Sequence, residues 1–194
     1  MQRRDALLIP LALAGLSACS KTNEPAAAAP AAAPATPAGA QTLYAQASAK
    51  GVGFGVGPMM AADPVLVFFD PQCPHCAQLW KASQPLMGKL RMVWMPVGFI
   101  RNASEPQGAA ILASKDPAET MTQHEALLEA RQGGLAASDA PEAERAKVKA
   151  NTELLNKLGA DSVPFILYRN RKTGEYGTHA GAVPTEQLAE MAGL

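Results

Sequence analysis

Cys73 and Cys76, in the stretch Phe69-Asp70-Pro71-Gln72-Cys73-Pro74-His75-Cys76, are the side chains whose types and spacing point most directly to chemistry. They follow Val65-Leu66-Val67-Phe68-Phe69, an apolar run bounded by Pro64 and Asp70-Pro71, which has the length and composition of a buried central strand. A helix is expected to start near Pro74 and run to about Met87, because proline fits the first turn, where its missing N–H has no intrahelical partner. A C-x-x-C at that junction suits thiol–disulfide exchange. One helical turn brings the two sulfurs together, and the unpaired N–H groups at the helix start favour a thiolate. The expectation is an exposed nucleophile at Cys73, a more buried resolving thiol at Cys76, and a Cys73–Cys76 disulfide when the pair is oxidised. The imidazole of His75 is expected to stabilise the Cys73 thiolate. Thiols in such motifs have pKa values from about 7 down to about 3.5, a range of roughly 5 kcal/mol favouring the reduced form. The pair should therefore lean towards being a good oxidant, or at least an easily reduced one.

Other chemistries fit these residues less well. Structural zinc takes about four ligands, and the sequence has no second cysteine pair. A c-type haem site has histidine directly after the second cysteine, where Ala77 stands. An inert buried pair would have no use for a helix-opening Pro-His. A copper-binding dithiol module, with Met59 or Met60 joining the thiols, stays open as a lesser alternative. No metal or other cofactor is expected. His124-Glu125 starts like a zinc-protease motif, but Leu128 stands where its second histidine belongs, so a solvated helix face is expected. His179 falls in a predicted hairpin and receives no role. Glu142 to Lys149 has the pattern of a solvated helix with i,i+4 ion pairs. Gly51 to Gly57 is glycine-rich, but Pro58-Met59-Met60 follow where a phosphate loop needs Lys-Ser/Thr; a flexible loop is expected.

The chain around this site has 194 residues and 20.2 kDa, 48% of them hydrophobic and 18% charged. It is too apolar for a wholly disordered protein, yet no run approaches the roughly 18 apolar residues that span a bilayer. Seventeen basic and seventeen acidic residues cancel, leaving no basic field to attract nucleic acid. Three cysteines are too few for a disulfide scaffold. Arg3 and Arg4, then an apolar stretch from Ala6 to Leu16, then Leu16-Ser17-Ala18-Cys19, form an export signal. The tetrapeptide resembles the bacterial lipoprotein box, which implies cleavage after residue 18 and acylation of Cys19. The alternative is an ordinary cleaved signal with Cys19 lost or free. Ser20 resembles an outer-membrane sorting residue. Cleavage removes Arg3, Arg4 and Asp5 and leaves 15 basic and 16 acidic side chains. Residues 19–40, rich in alanine and proline, then form a tether; residues 20–40 would reach roughly 60 Å in extended form. Residues 41–194 form one domain. Its predicted order is a short helix over Leu43–Lys50, the Val65 strand, the Pro74 helix, a strand over Leu90–Val97, helices between about Ala103 and Leu158, a hairpin from Pro164 to His179, and a helix over Thr185–Met191. That order is an α/β domain with a helical insertion.

Ser162-Val163-Pro164-Phe165, about ninety residues after the cysteine pair, resembles the cis-proline loop of thioredoxin-fold proteins. The resemblance implies a cis Val163–Pro164 bond, with the Val163 backbone facing Cys73 and pairing with substrate chain. The combination of Val65–Cys76, Ala109-Ala-Ile-Leu-Ala-Ser-Lys-Asp-Pro117, Asn151–Gly159, Val163-Pro164 and the final helix is similar to the periplasmic disulfide isomerases of the DsbC/DsbG group, nearest the DsbG branch. It covers about residues 62–194. It implies a thioredoxin-like fold, with the helical insertion between the CxxC half and the cis-Pro half. It also implies exchange of disulfides, or reduction of oxidised cysteines, in exported proteins. A membrane reductase resembling DsbD would keep the pair reduced. The family's N-terminal dimerisation domain has no counterpart in residues 20–40, so a monomer is expected. Pro74-His75 and Val163 look more like the DsbA oxidases, whose partner resembles DsbB; an oxidase donating disulfides is the alternative. The buried acid that oxidases and thioredoxins carry six residues before the first cysteine is replaced by Val67.

Overall fold

The computed structural model describes residues 36–60 and 62–194. The expected signal segment, Cys19 and all but the end of the tether lie outside the described residues. Eleven regular elements follow in order: α1 (Pro37–Lys50), β1 (Phe54–Val56), β2 (Val65–Phe69), α2 (Pro74–Ser83), β3 (Met92–Pro96), α3 (Ser104–Ala113), α4 (Pro117–Glu129), α5 (Glu142–Lys157), β4 (Phe165–Arg169), β5 (Tyr176–Ala180) and α6 (Thr185–Ala192). A single 3-10 turn, Gln84–Leu86, extends α2. Helix α1 starts earlier than expected, inside the stretch read as tether. The Thr36 hydroxyl accepts from the Gly39 N–H, and Ala40 is buried.

The sheet order is β1-β3-β2-β4-β5. Strand β2 is central and buried throughout, as a continuous apolar run should be. It pairs parallel with β3 through Val67 and Trp94, and antiparallel with β4 through Val67 and Ile166. Strand β5 completes one edge antiparallel to β4, with His179 opposite Ile166. The other edge corrects an expectation. Residues 51–57 are not a free loop, because Phe54–Val56 pair antiparallel with Trp94–Met92. Glycine serves close approach there: a Cβ at Gly53 would lie 2.3 Å from the Trp94 carbonyl oxygen.

Phe54, Phe69, Trp80 and Trp94 interlock edge to face, with ring centroids 5.0–6.2 Å apart. Each such pair contributes about 0.5–1.5 kcal/mol beyond burial, so the cluster fixes α2 firmly against the sheet. Helix α1 packs on β5 and β4, and its Tyr44 hydroxyl donates to the Pro64 carbonyl at 2.7 Å. Helices α3, α4 and α5 form the insertion between β3 and β4. Asn151 of α5 ties it to the sheet: its amide donates to the carbonyls of Val52 (2.7 Å) and Pro96 (2.9 Å), while its oxygen accepts from the Val52 N–H (2.9 Å). The charged run on α5 pairs less along its own helix than expected. Glu144 meets Lys147 at i,i+3 and Glu142 meets Lys149 two turns on, but Arg145 and Lys149 also reach across to Glu105 of α3.

Candidate active site

Strand β2 ends at Phe69, and the chain turns through Asp70–Gln72 to place Cys73 as the N-cap of α2, with Pro74 at its first position. The Cys73 carbonyl accepts from the N–H groups of Cys76 (3.0 Å) and Ala77 (3.2 Å). Both cysteines are free thiols. Cys76 is fully buried, whereas Cys73 is 4% exposed, so the expected nucleophile is far more enclosed than anticipated. Pro74 and His75 stand exposed above the pair. Val163 and Pro164 arrive from the other half of the chain, joined by a cis peptide bond. The Cys73 thiol donates to the Val163 carbonyl at 3.5 Å. The six residues expected to share a site on the described part of the chain, Cys73, Pro74, His75, Cys76, Val163 and Pro164, are thus brought together.

The electrostatics divide the two thiols. The Cys76 thiol hydrogen-bonds Cys73 and is the largest influence holding the Cys73 pKa down to about 6; the backbone N–H groups of Cys76 and His75 add to it, against burial. Burial pushes Cys76 well above the ordinary thiol range, helped by its role as donor to Cys73. One sulfur is therefore a thiolate near neutrality, and the other keeps its proton. The charge of His75 is the smallest of these influences, which reverses the weight that sequence reasoning gave it. Its Nδ1 is engaged with the Gln78 side-chain oxygen at 3.2 Å. Met59 and Met60 lie before β2 begins, while the thiols follow its end; the methionines do not join the pair.

Residues 62–193 match the family described as thioredoxin-like domain. The chain belongs to that family. It is 37% identical over 136 residues to the thiol:disulfide interchange protein DsbG of Pseudomonas aeruginosa, covering 66% of this chain and 50% of that protein. It is also 40% identical over 114 residues to DsbG of Escherichia coli, covering 56% and 44% respectively. The chain spans about half the length of the curated relatives it matches. The catalytic domain of Proteus mirabilis ScsC shares the fold, with a TM-score of 0.59 and 17% identity over 81% of this chain and 97% of that one. The thioredoxin-like α/β fold, with its helical insertion between the CxxC half and the Pro164 half, is as expected.

Several polar residues at this thioredoxin-like site carried no signal in the sequence. The buried Asp70 carboxylate accepts from the Gln72 N–H (2.8 Å) with one oxygen and from the Phe99 (2.7 Å) and Ile100 (2.8 Å) N–H groups with the other. It joins the cysteine turn to the β3–α3 loop. His124 is not on a solvated face. It is fully buried, and its Nδ1 accepts from the Leu135 N–H (3.2 Å), which leaves Nε2 to donate to the Pro71 carbonyl (2.7 Å). Burial lowers its pKa, so the neutral ring holds this geometry at neutral pH. Gly134 makes room for it: at φ +85°, a Cβ there would meet the imidazole at 2.4 Å. Gln72 donates to Gln107 (2.6 Å) and to the Gly133 carbonyl (3.0 Å), and Gln107 donates to the carbonyls of Gly133 and Leu135. The insertion therefore grips the turn just before Cys73. Gln72→Ala is expected to lower stability by about 1 kcal/mol in urea unfolding, because partly exposed partners rehydrate. No change would mean that the Gln72 contacts contribute nothing to holding the turn.

Proposed function

We propose that this chain is a thiol:disulfide interchange protein of the reductase or isomerase type, acting on exported proteins through Cys73 and Cys76. The reading is supported above all by one juxtaposition: a low-pKa sulfur at a helix start, 3.5 Å from the Val163 carbonyl and directly hydrogen-bonded by a buried second thiol. The Cys73 thiolate attacks one sulfur of a substrate disulfide; that S–S bond breaks, and the other substrate sulfur leaves as a thiolate that takes a proton from solvent. Reduction is completed when Cys76 gives up its proton and attacks Cys73, which closes the Cys73–Cys76 disulfide and releases the second substrate thiol. In isomerisation a different substrate thiolate attacks the mixed disulfide instead, and Cys73 departs as it began. Val163 and Pro164 present an edge to an extended substrate segment, because proline has no N–H to occupy it. The chain is exported to the periplasm, held at the outer membrane by acylated Cys19, acts as a monomer, and is recharged by a DsbD-like membrane reductase.

Cys76→Ser leaves the attacking sulfur without its resolving partner. It is expected to accumulate reductant-sensitive adducts with exported proteins on non-reducing gels, and Cys73→Ser in the same background should remove them. Absence of adducts from Cys76→Ser would overturn the reading. The oxidase alternative rests on His75 and Val163, and the small influence of His75 on Cys73 weakens it. A glutathione titration separates the two: about −120 mV fits a DsbA-like oxidant and about −270 mV a thioredoxin-like reductant.

A further inference from the structure

Beside the cysteine pair runs a groove of about 580 Å³, lined by Pro74 and Gln78 from α2, Leu128 and Glu129 from α4, and the two arginines Arg101 and Arg131. Its charges are unequal. Glu129 is neutralised by Lys81, whereas neither arginine forms an ion pair among the described residues. Both arginines are exposed, so their guanidinium groups are available to a partner. Arg131 also occupies a costly position. It follows the end of α4 at φ +57°, where its N–H closes the helix on the Leu128 carbonyl (2.9 Å). Glycine takes that left-handed conformation without strain, and arginine does not. A strained residue at the rim of a site is a reason to look for its use. Arg101 is carried by the loop that Asp70 pins to the cysteine turn. Phe99 and Ile100, immediately before it, are 42% and 44% exposed and add an apolar shoulder.

We infer that this groove receives a segment of the substrate polypeptide carrying an acidic side chain close to its reactive cysteine, with Arg101 and Arg131 as the groups that select it. The inference deepens the thiol-exchange reading and rests on it. The groove begins at Pro74, next to the attacking sulfur, so a chain bonded to Cys73 and laid against Val163 has its flanking residues within reach of this surface. Two cations on a partly exposed rim act on encounter and orientation more than on tight binding.

Three short peptides test it, each with one cysteine in a mixed disulfide with the same aromatic thiol, and with Glu, Gln or Lys flanking that cysteine. Release of the aromatic thiol by the reduced full chain gives the rate. The Glu peptide is expected to react about fivefold faster than the Gln peptide at low salt, as two modest ion pairs would give, and the Lys peptide slowest. In Arg101→Ala/Arg131→Gly the Glu-to-Gln ratio should fall close to one. Arg131→Gly relieves the left-handed strain, so its melting temperature should hold or rise, which separates lost selection from lost folding. Equal wild-type rates for Glu and Gln, or a ratio that persists in the double variant, would overturn the assignment. Failure of all three peptides to react would instead strike at the exchange reading itself.

Discussion

Between pH 6 and pH 9 the reduced protein is expected to gain about 4 kcal/mol of unfolding free energy through Cys73, and Cys73→Ser should lose that gain. The folded pKa of about 6 lies three units below the ordinary 9.0, at about 1.36 kcal/mol per unit. The sign follows from which state binds the proton. Below pH 6 both folded and unfolded chains carry it, and Cys73 contributes nothing. Between 6 and 9 the folded chain has released it while the unfolded chain still holds it, so stability rises with pH. Above 9 the contribution is complete; on acidification it is lost as pH falls through 6. Urea unfolding in excess reductant, with wild type and Cys73→Ser compared at several pH values, reads it as a widening difference. A difference that stays flat would show that the Cys73 sulfur has an ordinary pKa. At pH 7 only about one unit has been realised. That stabilises the dithiol by about 1.4 kcal/mol, equivalent to about 30 mV for this two-electron couple. A tilt of that size makes the pair more easily reduced but falls far short of the roughly 150 mV between thioredoxin and a DsbA-type oxidant.

The parts of this site that were legible in the sequence are the parts encoded locally. A continuous apolar run bounded by prolines gave β2, Pro74 marked the helix start, and the C-x-x-C spacing located both thiols. The meeting of Val163-Pro164 with Cys73 is a long-range contact, and it came from family resemblance rather than from any periodicity. What stayed hidden depends on partners supplied by distant backbone. His124 resembles a surface residue on a weakly amphipathic helix until the Pro71 carbonyl and Leu135 N–H close around it. Strand β1 is three residues long and flanked by glycines, so its apolar pattern was too short to register. Those glycines are there because the neighbouring backbone comes too close for a side chain, not because the segment must flex. The influence of His75 was overestimated for a related reason. An exposed charge is screened by water, while a buried thiol and two backbone N–H groups act on Cys73 at hydrogen-bond range.

The same contrast between exposed and buried charge bears on Glu125. Val67 leaves β2 without an acid, but α4 inserts one against α2. Glu125 is 3% exposed, and neither carboxylate oxygen has a hydrogen-bond partner among the described residues. Burial raises its pKa from 4.5 to about 7; the Lys81 ammonium opposes the rise, while Cys73 and Glu129 reinforce it. A carboxyl group whose folded pKa is raised supports folding fully below pH 4.5 and loses that contribution as pH rises to 7, here about 3 kcal/mol. The clean measurement uses the oxidised protein, in which neither thiol titrates. Glu125→Gln should gain up to about 3 kcal/mol relative to wild type between pH 4.5 and pH 8 in urea unfolding, since the part of the rise that comes from the Cys73 charge is absent in the disulfide. A difference independent of pH would mean that water reaches the carboxylate. In the reduced protein the two groups oppose each other, since Cys73 adds stability over pH 6–9 after Glu125 has removed it over pH 4.5–7. Their charges are also mutually unfavourable, so Glu125→Gln should make the Cys73 thiolate easier to form, and thiolate absorbance should titrate at lower pH in the variant. Such a shift would tie reduction of the pair to the protonation of a carboxyl group on the helical insertion.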